Sequence, residues 1–123
     1  MTTTQTLLSN VVYGSPSGNY DGSSSDWVTD AVQAADYYHG RGNLQTVLFS
    51  VTDFEGDITV EATLDSTPNS VDTKWFHTYV FGDGSTMPLT DYHATNIAGN
   101  FVWIRLRISG FAGGSINSVT ISY

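Results

Sequence analysis

LQTVLFSVTDFEGDITVEATL, Leu44 to Leu64, is the stretch whose reading decides how this chain folds. Val47, Phe49 and Val51 alternate with Leu48, Ser50 and Thr52, and after an interruption Ile58, Val60, Ala62 and Leu64 alternate with Thr59, Glu61 and Thr63. Period-2 alternation of this length belongs to strands with one face in a core and one facing out. Asp53-Phe54-Glu55-Gly56-Asp57 breaks the pattern, and Gly56 can adopt a positive φ. The expectation is an antiparallel hairpin turning at Glu55-Gly56, with Phe49 buried.

The C-terminal stretch FVWIRLRISGFAGGSINSVTISY echoes it. Val47, Phe49, Val51, Phe54 and Gly56 correspond at one constant offset to Ile104, Leu106, Ile108, Phe111 and Gly113. Gly110 to Gly114 reads as a second hairpin turn, between strands Phe101–Ser109 and Ile116–Ser122. The echo is too short for a solenoid repeat and fits two similar hairpins, whether by duplication or by common length.

Around these, Thr6–Tyr13 reads as a first strand and Lys74–Phe81 as another, and Gly82–Asn100 is a long connection holding one irregular strand near Tyr92. Gly14–Asp26, GSPSGNYDGSSSD, reads as the most mobile loop. Trp27–Tyr38 is read as extended in preference to a short helix capped by Thr29 or Asp30. Residues 1–5 are polar and read as a flexible N-terminal arm. Seven or eight strands with turns between them and no long helix imply an all-β, antiparallel β-sandwich, jelly-roll-like, in a single domain spanning 1–123.

The chain has 123 residues and a net charge of −8, from twelve acidic against four basic residues. Lysine occurs once, at Lys74, so a row of phosphates has nothing to neutralise it and nucleic-acid binding is not expected. Three Trp, seven Tyr, six Phe and twelve Gly, with abundant Ser and Thr, give a β composition. Cysteine is absent, which excludes disulfides and thiolate metal sites and fits assembly in a reducing compartment. No run approaches the ~20 apolar residues of a membrane span, and MTTTQTLLSN lacks the basic and apolar regions of a signal peptide.

No catalytic, cofactor or metal site is expected. Asp53, Glu55 and Asp57 crowd one turn, and Asp83 lies between glycines, but neither has calcium-loop spacing. His39, His77 and His93 are far apart. No serine stands in a nucleophile elbow, no spacing selects a carboxylate pair, and the glycine clusters lack a P-loop lysine. The functional hint is aromatic. Val102, Ile104, Leu106 and Ile108 share one parity; Phe101, Trp103, Arg105 and Arg107 share the other, and Trp75, His77, Tyr79 and Phe81 also share one. With the aliphatic parity inward, Trp75, Tyr79, Trp103, Arg105 and Arg107 form a candidate face for a partner protein or a sugar ring. The other reading is that Trp75 and Trp103 roof the core beneath a loop.

Three runs, ADYYHGRGNLQTVLFSV, TDFEGDITVEATLDSTP and DTKWF, followed by NIAGNFVWIRLRISGF and GGSINSVTISY, cover roughly two-thirds of the chain. This pattern resembles small β-sandwich domains in virion structural proteins of tailed bacteriophages, especially T4-like phages of marine cyanobacteria. The shared motifs lie at turns and core strands and carry no catalytic residues. The resemblance implies a non-enzymatic structural or accessory protein of a phage particle, in head decoration, neck or tail, localised to the virion. Its partners would be other virion proteins and copies of itself in a homo-oligomer. The alternative is a carbohydrate-binding module that attaches to host-surface glycan.

Overall fold

The computed structural model describes residues 4–34, 44–68, 72–82, 87–99 and 101–122. All its regular structure is strand: β1 (Thr4–Val12), β2 (Trp27–Val28), β3 (Val32–Gln33), β4 (Leu44–Thr63), β5 (Phe76–Phe81), β6 (Leu89–Ala98) and β7 (Trp103–Ser122). Every pairing is antiparallel, in one seven-stranded sheet.

The expected hairpins are not formed. Leu44 to Thr63 is one strand of 20 residues, and so is Trp103 to Ser122. These two strands pair with each other along their whole length, from Thr46↔Ser122 through Glu55↔Gly113 to Thr63↔Trp103. The interruptions taken for turns are bends, where the register slips at Ser50/Val51, Thr52/Glu55 and Glu55/Asp57. A turn and a bulged bend leave the same trace in a sequence, a lapse in alternation beside a residue of positive φ. Here Asp53 has φ 50° and Gly56 φ 143°. The echo between the two stretches marks two partner strands that bend together, and Phe54 and Phe111 meet at the bend with ring centroids 5.8 Å apart.

The bend divides the sheet. The first half of β4 and the second half of β7 lie between β6 and β1. The second half of β4 and the first half of β7 lie between β5 and the short β2 and β3. Side chains from both halves share one core: Phe49 stacks on Phe81 at 4.5 Å, and Val60, Ile104, Leu106 and Val119 are fully buried. At the margins, the Tyr79 hydroxyl of β5 lies 3.1 Å from His93 Nε2 of β6, and Gln5 Nε2 of β1 donates to the Gln33 carbonyl beyond β2. This arrangement is consistent with a sandwich whose corners are strands bending from one layer to the other.

Other expectations shift in smaller ways. Thr4 and Gln5 pair within β1, so of the expected arm only residues 1–3 fall outside the described residues. The segment from Trp27 is extended as far as Ala34, beyond which it too lies outside them. The strand near Tyr92 is a regular ten-residue element. The loop from Gly14 to Asp26 is pinned: Tyr20 is buried against Trp27 and Phe111, and its hydroxyl accepts the Gly14 N–H. Asp21 accepts the Ser23 and Ser24 backbone N–H groups and the Ser24 hydroxyl, which holds its carboxyl down at about 2.

Glycine is required where the bent strands cross. Gly114 has φ 76°, and a β-carbon there would collide with the Asp53 carbonyl. Gly18 also has a positive φ, 57°, but open space around it. Gly114→Ala is therefore expected to cost several times more stability than Gly18→Ala, whose cost is about 1 kcal/mol from backbone conformation alone. Urea denaturation of both variants checks this; equal losses would contradict a close crossing at the bend.

Candidate interaction face

The second half of β4 and the first half of β7 alternate in step. Ile58, Val60 and Ala62 point inward with Ile104, Leu106 and Ile108, and all six are fully buried. Thr59, Glu61 and Thr63 therefore point to the opposite face, where the register sets them opposite Arg107, Arg105 and Trp103 and all three are buried. On the other side of β4, His77 of β5 is the partner of Glu61.

These neighbours converge on Glu61. Arg105 Nε donates to Oε1 at 2.8 Å, Arg107 Nε donates to Oε2 at 3.1 Å, and His77 Nε2 lies 3.3 Å from Oε2. Although it faces outward, the Glu61 side chain is 5% exposed, because the long arginine side chains lie over it. Burial pushes its carboxyl up, but hydrogen bonds from Arg105 and Arg107 and their positive charges outweigh this and hold it below the usual carboxylate range. Trp75, just ahead of β5, completes the layer: the Arg105 guanidinium sits 4.2 Å from its ring centroid, a cation–π stack. Trp103, half-buried, donates its indole N–H to the Ser66 carbonyl at 3.1 Å.

Four of the five residues expected on this face are thus gathered on it: Trp75, Trp103, Arg105 and Arg107. Tyr79 is not among them. The ladder between β4 and β5 slips between Val60 and Glu61, so Tyr79 pairs with Val60 while His77 pairs with Glu61. Thr78 takes up the slip, its hydroxyl bonded to the Val60 carbonyl. The bulge reverses the parity of β5, and Tyr79 turns inward to Phe49 and His93. Period-2 counting carries no sign of such a slip. Glu61 was not among the expected residues either; its role depends on which strand lies beside β4, and an alternation pattern does not name the partner.

No protein-family model and no curated protein matches the chain. The chemistry of the face therefore rests on its own geometry.

Both Glu61 oxygens are engaged by cations and its carboxyl is held ionised, which suits it to fixing side chains and not to donating a proton. Among the described residues no three His, Asp or Glu side chains gather as metal ligands, and Asp53, Glu55 and Asp57 are spread along the β4 bend. Asp83 and His39 lie outside the described residues. Glu61 takes up both arginines, and Asp65 and Asp72 line a hollow with Ser66, the hydrogen-bond partner of Trp103, so the face carries charges of both signs. The result is a rigid surface of tryptophan rings and guanidinium edges. Trp75 lies against the Arg105 guanidinium, and Trp103 is tied to the loop after β4 through Ser66.

Glu61→Gln is expected to lower stability by about 2–3 kcal/mol at neutral pH, since two guanidinium groups lose a charged acceptor. A depressed folded-state pKa contributes stability above the unfolded carboxylate value and loses it as pH falls through the folded value. The gap between wild type and variant should therefore close on acidification across that window. Denaturation curves from neutral to acid pH measure it, and a gap independent of pH would contradict the ion cluster.

Proposed function

We propose that this chain is a non-enzymatic structural or accessory protein of a bacteriophage particle, in head decoration, neck or tail, acting through contacts with other virion proteins and with copies of itself. The observation that carries the reading is the Trp75–Arg105–Glu61–Arg107 layer. Trp and Arg dominate interface hot spots because they bury large areas and donate several hydrogen bonds at once. Here both types are held in place before any partner arrives, which reduces the ordering cost of binding. The all-β fold agrees with the resemblance to phage virion domains. Self-association has a route in β6, which among the described residues pairs with β4 alone and carries one acid, Asp91, where charges commonly guard an exposed edge.

Removing Arg105 would strand a buried carboxylate, so the informative substitutions leave the arginines in place. Trp75→Ala with Trp103→Ala is expected to reduce incorporation into particles by about tenfold or more, equivalent to at least ~1.4 kcal/mol of contact, while the melting temperature stays within a few degrees of wild type. Quantifying the protein in purified particles beside its thermal melt tests this. Normal incorporation with an unchanged melt would contradict the reading.

A carbohydrate-binding role in host attachment is the second reading, and the observation that favours it lies elsewhere on the fold, in a cleft beside Trp27.

A further inference from the structure

β1 pairs with the second half of β7, whereas β2 and β3 pair with its first half. At the bend of β7 these neighbours must part, and the sheet opens on that side. The register of β1 on β7 shifts between Thr6 and Leu8, beside that opening. The Gln5–Gln33 hydrogen bond joins β1 to β3, and Tyr20 packs on Trp27 of β2. Between them lies a cleft of about 210 Å³, whose lining includes Thr6, Leu7, Asn19, Trp27, Asp30 and Val32.

Trp27 is 7% exposed, and its indole N–H is buried without a hydrogen-bond partner among the described residues. A buried donor left unpaired costs roughly 1–3 kcal/mol, so native proteins satisfy nearly all of them. This one belongs to a residue lining a cleft that already holds further polar groups. Asn19 Nδ2 donates to Asp30 Oδ1 at 3.0 Å, which fixes an amide beside a carboxylate at the rim. The hollow beside Asp65 and Asp72, about 250 Å³, has no orphaned buried group of this kind among the described residues.

We propose that the cleft beside Trp27 binds one neutral polyhydroxylated ring, a monosaccharide unit. The indole N–H needs an oxygen acceptor. The Asp30 carboxylate accepts hydroxyl donors, and Asn19 and Thr6 supply mixed donor and acceptor groups. Leu7, Val32 and the indole provide an apolar wall for the ring's C–H face. Among the described residues no cationic side chain lines the cleft, whereas Asp30 does, which favours a neutral ligand over an anion. The volume suits a single ring and is below that of most drug-sized pockets, about 300–1,000 Å³. The site stands apart from the Trp75–Arg105 layer and does not depend on the virion reading.

The test is a titration of ¹⁵N-labelled protein with glucose, galactose, mannose and N-acetylglucosamine, following the indole N–H resonances of the three tryptophans. Trp27→Phe assigns the Trp27 signal while keeping an aromatic ring in place. The Trp27 signal is expected to move saturably with at least one sugar while Trp75 and Trp103 stay still. Asp30→Asn, isosteric and at an exposed position, and Asn19→Ala should each weaken the response at least about fivefold, with the other indole signals unchanged as a check on the fold. Three results would overturn the proposal. One is no saturable movement up to about 100 mM sugar, beyond even weak specific affinity. Another is an undiminished response in both variants. The last is a long-lived water bound at the Trp27 N–H that no sugar displaces.

Discussion

The structure depends on two strands bending at the same place. β4 and β7 pair over nearly all of their twenty residues each. A ladder that long stays intact through a corner only if both partners turn together. Gly56 and Gly114 permit the turn, because the backbone at each passes close to the other strand. A β-carbon on Gly56 would lie 2.9 Å from the Ser109 carbonyl oxygen, and one on Gly114 would strike Asp53. Phe54 and Phe111 fill the inside of the corner with Tyr20 and Trp27. Backbone approach and aromatic packing thus reinforce the same geometry, and each of the other strands takes its place by pairing with one half of this ladder.

Both surface features follow from that ladder. Beyond the bend, the register sets Arg105 opposite Glu61 and Arg107 two residues along the same strand, and the outer layer assembles around one carboxylate. At the bend, β1 and β2 part company, and the cleft beside Trp27 opens. The first feature is saturated: each carboxylate oxygen has a guanidinium partner, and Arg105 stacks on Trp75. The second is unsaturated, with a buried donor lacking an acceptor. A saturated patch suits contact with a protein surface, whereas a cleft lined by a residue with an unsatisfied donor suits a small ligand that brings its own oxygen. The two therefore generate separate proposals.

Much of the fold can be read in the residues because burial leaves a periodic mark. The inward set Val47, Phe49, Val51, Ile58, Val60, Ala62, Ile104, Leu106 and Ile108 is visible as alternation, and so is the outward placement of Trp103, Arg105 and Arg107. Connectivity is not visible in the same way. Asp53 to Asp57 and Gly110 to Gly114 satisfy the local requirements of a turn and of a bend equally, and only the partner across the ladder distinguishes them. The slip at Thr78 that turns Tyr79 inward is a property of two strands, and β5 alone does not encode it. Glu61 shows the same limit: as one polar residue in an alternating run it is unremarkable, and it acquires its role from residues more than forty positions away.

The central claim is that Leu44–Thr63 is one bent strand paired throughout with Trp103–Ser122. Cross-strand nuclear Overhauser contacts between backbone protons test it most directly. The account predicts contacts for Val47 with Ile121 and for Val60 with Leu106, on opposite sides of the bend, together with Glu55 to Gly113 at its centre. Contacts pairing Val51 with Ile58, and Ile108 with Ile116, as the facing arms of two separate hairpins would contradict it.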